Sequence, residues 1–147
     1  MIALRSVVAI LLLVVSAAIG QEPAPGTFRA VDLFVDSGNQ PLAAYQLSFA
    51  CGAAGAKIVG IEGGEHSAFA EPPYYDPKAM QSNHVVVAAF NTGSPGQLPR
   101  GRTRIATIHV QMPVSAERQY EFKVEAAATP AGEAITIRAE AIERNAK

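Results

Sequence analysis

The sequence predicts an all-β protein, one small sandwich or barrel of about seven strands with one short helical turn. Two observations predict it. Apolar and polar residues alternate at period two through most of the chain, as in strands with one buried face. The runs are short and are separated by clusters of Gly, Pro, Asn, Asp and Ser, the punctuation of an antiparallel fold.

The first twenty of the 147 residues read as a secretory signal. Arg5 supplies the positive end, Val7–Val15 is an unbroken apolar run, and Ser16–Gly20 supplies small residues. A membrane-spanning helix needs about 20 apolar residues, and this run is shorter. Cleavage is expected after Ala18 or Gly20. No cysteine lies near that site for lipid attachment, and no later segment is long and apolar enough to span a bilayer. Residues 21–27 (QEPAPGT) form a Pro/Gly-rich linker. The domain is expected over residues 28–143, with 144–147 as a C-terminal tail.

Within the domain each run has its own reading. Val31, Leu33 and Val35 share one face, and Asp36–Asn39 then turns the chain. Tyr45, Leu47, Phe49 and Cys51 share the next apolar face, until Gly52–Gly55 breaks the run. Lys57–Ile61 is a short strand. His84–Phe90 (HVVVAAF) is apolar on both faces, which predicts a central strand. In Thr103–Met112 the residues Ala106, Ile108 and Val110 point inward. In Gln119–Ala128, Tyr120, Phe122 and Val124 oppose Glu121, Lys123 and Glu125. Glu133–Ile142 closes the domain with Ile135 and Ile137 on one side, although its Ala/Glu-rich end also suits a helix. Asp76–Ser82, opened by Asp76-Pro77, is the expected helical turn.

Composition narrows the function. Twelve Lys and Arg stand against thirteen Asp and Glu, and loss of Arg5 with the signal makes the net charge −2. That balance offers nothing to nucleic acid or to an anionic membrane surface. One cysteine excludes an internal disulfide.

The stretch Val31–Gly38 followed by Leu42–Leu47 resembles the start of a cohesin-like domain, and Ile58–Gly64, Val85–Phe90 and Thr103–Met112 extend the resemblance over most of residues 28–128. The resemblance implies a two-sheet jelly-roll sandwich, nine-stranded in that family and related to some carbohydrate-binding modules. The expected fold is therefore such a sandwich with about seven to nine strands. It also implies a binding role, typically toward a dockerin module whose calcium loops belong to the partner. Between the second and third strands the family commonly carries a Tyr-Asp-Pro-like step, and this sequence has Phe49–Gly55 instead. The resemblance thus carries the fold further than the identity of the partner.

No catalytic signature is present. There is no nucleophile elbow, phosphate loop or His-Glu-x-x-His zinc motif. Cys51 lies on an apolar face, where a thiol behaves as a small hydrophobe. A calcium loop begun at Asp36 would put Pro41 at the position that needs glycine and Leu47 at the one that needs glutamate. His66, His84 and His109 are scattered. No cofactor or metal is expected.

The longest polar stretch, Glu62–Asn83, is the first place to look for a contact site. It presents Tyr74, Tyr75 and Asp76 behind the stiff Pro72-Pro73 pair, and tyrosine gives large contact area at low entropic cost. The favoured structural reading packs one tyrosine over the sandwich end and leaves the other solvated. A second candidate is Arg100 and Arg102 in the basic run Arg100–Arg104, which as structure alone is a charged hairpin guarding a strand edge. The sequence thus points to an exported, non-catalytic binding module. Its expected partner is another exported protein, dockerin-like in the form the resemblance implies, or alternatively a polysaccharide. Absence of tryptophan weakens the polysaccharide reading, because sugar-stacking platforms favour large aromatic faces. Far-ultraviolet circular dichroism of residues 21–147 is expected to be dominated by strand, and a mainly helical spectrum would overturn the fold.

Overall fold

A computed structural model describes residues 26–144. The signal expected at 1–20, residues 21–25 of the linker and residues 145–147 lie outside the described residues. The fold is all-β, as the sequence predicts. Seven strands form two antiparallel sheets: β1 (Gly26–Asp36), β2 (Ala44–Cys51), β3 (Lys57–Gly63), β4 (His84–Phe90), β5 (Arg102–Pro113), β6 (Tyr120–Ala128) and β7 (Arg138–Glu143). The larger sheet runs β3-β5-β1-β7 and the smaller β4-β2-β6.

The inward faces follow the expected alternation. Val31, Leu33 and Val35 of β1 and Leu47, Phe49 and Cys51 of β2 are fully buried. They meet Ile58, Val85, Val87 and Ile108 in one core between the sheets. Burial of an aliphatic side chain of this kind is worth roughly 1.5–3 kcal/mol. Phe49 stacks on Tyr120 at 5.9 Å, which ties the core to β6.

Three bulges shift the alternation in ways that periodicity alone does not anticipate; in β3 it is Val59 that has no partner on β5. Leu33 pairs with Ala106 but Phe34 pairs with Arg104, so Ile105 has no partner on β1. Consecutive residues Ile105 and Ala106 are therefore both buried. In β6, Glu125 is the extra residue between the pairs Gln46–Ala126 and Leu47–Val124. Tyr120, Phe122 and Val124 face inward before it and Ala127 after it.

Strand β4 is a correction. It is an edge strand, not a central one. Its inward residues Val85 and Val87 are buried, while Val86 and Phe90 on the other face are exposed. The apolar outer face is therefore surface and not a second core contact. The C-terminal segment is a second correction. Its strand covers only Arg138–Glu143, because Glu133–Ile137 crosses between the sheets. Ala134 bridges to Ala128 of the small sheet, whereas Arg138–Glu143 pairs with β1 of the large one. It ends as strand, not helix. Arg144, expected to open the tail, is still anchored, with its N–H donating to the Ala30 carbonyl at 2.8 Å. Glu143 accepts from the Tyr120 hydroxyl at 2.7 Å and faces Arg29 and Arg118 at 3.4 and 3.5 Å, which joins β7 to β6.

One helical turn was expected, and three 3₁₀ turns are present, at Ser67–Phe69, Pro77–Ala79 and Pro95–Gln97. The first two lie in the long connection from β3 to β4. That connection is tied down. Gly64 donates to Phe69, Ile58 to Ser82 and Cys51 to Asn83 through backbone hydrogen bonds of 2.7–2.8 Å. At Gly63 the connection passes so close that a Cβ would lie 1.9 Å from the Ala70 carbonyl oxygen. Gly63→Ala is expected to cost about 2–4 kcal/mol by forcing backbone apart, comparable to the cavity left by Ile108→Ala. Urea unfolding of the two variants checks this, and a Gly63→Ala midpoint equal to wild type would show that the connection is not held there.

Candidate functional site

The outer faces of the two sheets differ in chemistry. On the large sheet the polar side chains satisfy one another. Asp32 accepts from the Thr107 hydroxyl at 2.6 Å and from Arg144 Nε at 2.8 Å. Arg104 donates to Thr107 Oγ1 and to the Gly63 carbonyl, both at 2.9 Å. His109 Nε2 and Glu62 Oε1 are 2.8 Å apart. Burial alone would raise the Asp32 pKa. The hydrogen bonds from Arg144 and Thr107 and the charges of Arg144 and Arg104 outweigh it, so the carboxyl is held below its ordinary value. Among the described residues, no three His, Cys, Asp or Glu side chains gather into a group that could hold a metal ion.

The residues singled out in sequence fall in different places. Tyr74 is 71% exposed. Tyr75 packs partly buried against the core. Asp76 caps the Pro77–Ala79 turn, its carboxylate accepting from the Lys78 N–H at 2.9 Å. Arg100 donates to the Asn39 carbonyl. Arg102 lies 3.7 Å over the Phe34 ring and 3.2 Å from Glu140, on the large sheet. Tyr74 belongs to the small-sheet face. The two candidate groups therefore do not form one site, and both arginines are engaged with their own chain.

The small sheet carries a shallow apolar depression of about 400 Å³ on its outer face. Register builds its floor. Phe90, Ala44 and Ala128 lie side by side across β4, β2 and β6, and Ala88, Gln46 and Ala126 form the next row. Alanines leave the sheet bare, so the floor is low. Tyr74 and Phe90 form the wall at the β4 edge, and Gly132 and Ala134 line the β6 side. Tyr74 is held by two backbone hydrogen bonds with Ala88, of 2.8 and 2.9 Å. Its ring stacks on Phe90 at 6.2 Å with an interplanar angle of 13°. Phe90 is itself 65% exposed. Asn91 fixes the chain beyond it by donating to the Ala68 carbonyl at 3.0 Å.

The sequence singles out Tyr74, which is exposed, but not Phe90 or the alanine floor beside it. The signal is present in His84–Phe90, whose second apolar face lies on the surface and not in a core. Compared with family models, curated proteins and solved structures, the chain matches none.

The Asp32 network sets a pH dependence. A folded-state carboxyl held below its ordinary value contributes stability that is present above the unfolded pKa and is lost as pH falls through the folded one. Asp32→Asn is expected to cost about 1–2 kcal/mol at pH 7, with the gap to wild type closing as pH drops through the carboxylate range. Denaturant midpoints measured at a series of pH values check this, and a gap independent of pH would remove the charge from the explanation.

Proposed function

We propose that this protein is an exported, non-catalytic binding module that takes a partner protein on the outer face of its three-stranded sheet. One observation carries the reading, the exposed Tyr74–Phe90 stack standing over an alanine floor. Two large aromatic side chains left in water cost free energy that docking recovers. Clustered exposed aromatics of this kind mark interaction surfaces and supply their anchors. The large sheet offers less, because its charges are already paired with one another. Cys51 is fully buried, which supports a packing role for its thiol.

Export rests on the signal-like residues 1–20. The cohesin-like resemblance agrees with a binding role, and a dockerin-like partner is its more specific form. A polysaccharide is the second reading, favoured by the exposed Tyr74 ring. It is weaker because the depression offers a sugar few polar groups besides the Gln46 amide and the Tyr74 hydroxyl.

A photo-crosslinking residue placed at position 90 in the native host is expected to give a discrete protein adduct outside the cytoplasm. The same residue at Phe28, which is 69% exposed on the large sheet, is expected to give none. Phe90→Ala should change stability by no more than about 1 kcal/mol and should not disturb folding. Retention of the protein on insoluble glycan, lost in Tyr74→Ala and Phe90→Ala, would replace the protein partner with a polysaccharide.

A further inference from the structure

The charged residues that adjoin the lining of the small-sheet depression along the chain are all acidic. None of its lining residues is charged. Among the residues next to them in the chain, the charged ones are Glu125 and Glu133, and none is Lys or Arg. Glu125 is the extra residue of the β6 bulge, directly before Ala126 of the floor. Its carboxylate accepts from the Ser48 hydroxyl at 2.9 Å on the outer face. Glu133 sits between the lining residues Gly132 and Ala134. Both are exposed, and among the described residues neither is in an ion pair. The nearest cation along β6, Lys123, stands across from Ser48 on the same face and is paired with Glu121 at 3.4 Å.

We infer that the partner inserts an apolar side chain flanked by Lys or Arg. The apolar group fills the space over the alanine floor against Tyr74 and Phe90, and the flanking cations meet Glu125 and Glu133 on the β6 side. This inference rests on the docking reading above and adds the chemistry of the partner to it. Charge complementarity of this kind raises the association rate and excludes acidic competitors. It also argues against a second copy of this chain as occupant. Two copies joined through this patch would bring four carboxylates to one rim, where the neighbouring Lys123 is already paired with Glu121.

The test presents the full chain to a displayed library of short random peptide loops and then measures the enriched loops as synthetic peptides. Loops with an aromatic or aliphatic centre between Lys or Arg residues are expected. Phe90→Asp should weaken their binding by at least about tenfold, the size expected for losing one interface anchor. The double change Glu125→Gln and Glu133→Gln should weaken it by about five- to tenfold, as should raising salt from about 0.05 to about 0.5 M. Circular dichroism of each variant confirms that it folds. Loops that depend on Phe90 but carry neutral or acidic flanks, or that ignore the glutamine changes, would overturn the charge inference and leave the docking face standing. Failure to enrich any Phe90-dependent loop would overturn both. Reversible dimerisation abolished by Phe90→Asp would assign the face to a second copy and overturn the basic partner.

Discussion

The β1–β5 ladder, with the bulge at Ile105, is the constraint on which the rest of the domain depends. It pairs β1 along its whole length and forms the middle of the large sheet. The extra residue shifts the phase of β5 by one. Up to and including it, Thr103 and Ile105 face inward; after it, Ala106, Ile108, Val110 and Met112 do. Both segments of β5 therefore feed the core. The same shift places Arg104 and Thr107 together on the outer face, three residues apart, where their side chains bond. Thr107 then holds Asp32, and Asp32 holds Arg144. A one-residue change in register thus decides both the packing of β5 and the anchoring of Arg144.

The two outer faces divide the remaining work. On the large sheet, guanidinium and carboxylate groups neutralise each other, with Arg138 on Asp36 and Arg102 between Phe34 and Glu140. A surface so satisfied has little left to offer a ligand. Around its depression the small sheet presents alanine, and the aromatic pair rises at one side. The edges are guarded separately. Glu121 and Lys123 on β6, and Arg138 and Glu140 on β7, keep charge on the strands that close that side of the sandwich.

What was legible in the sequence was what local periodicity encodes. β1 and β2 alternate strictly, so their inward residues Val31, Leu33, Val35, Tyr45, Leu47, Phe49 and Cys51 could be named from spacing alone. The bulges were not legible, because an extra residue costs little locally and is fixed by the partner strand. β4 was misplaced for a related reason. An apolar second face looks the same whether it meets a neighbouring layer or water, and only the strand order tells them apart. The crossing at Glu133–Ile137 is likewise decided by long-range pairing. Tyr74 was found because Pro72-Pro73 and two adjacent tyrosines mark a presenting loop. Its companion Phe90 lies sixteen residues on, and only the Tyr74–Ala88 bridge brings the two together.

That bridge also limits how anything can dock at this edge. An edge strand normally offers its outward N–H and C=O groups to any extended chain, and such pairing reads backbone with little regard for sequence. At Ala88 both groups are already bonded to Tyr74. The closed position lies in the middle of β4, directly beside the exposed aromatic wall. Whatever approaches there must be recognised by the shape and charge of its side chains. At that one position the bridge replaces a permissive hydrogen-bonding edge with a closed one, and side chains are what the surface beside it presents.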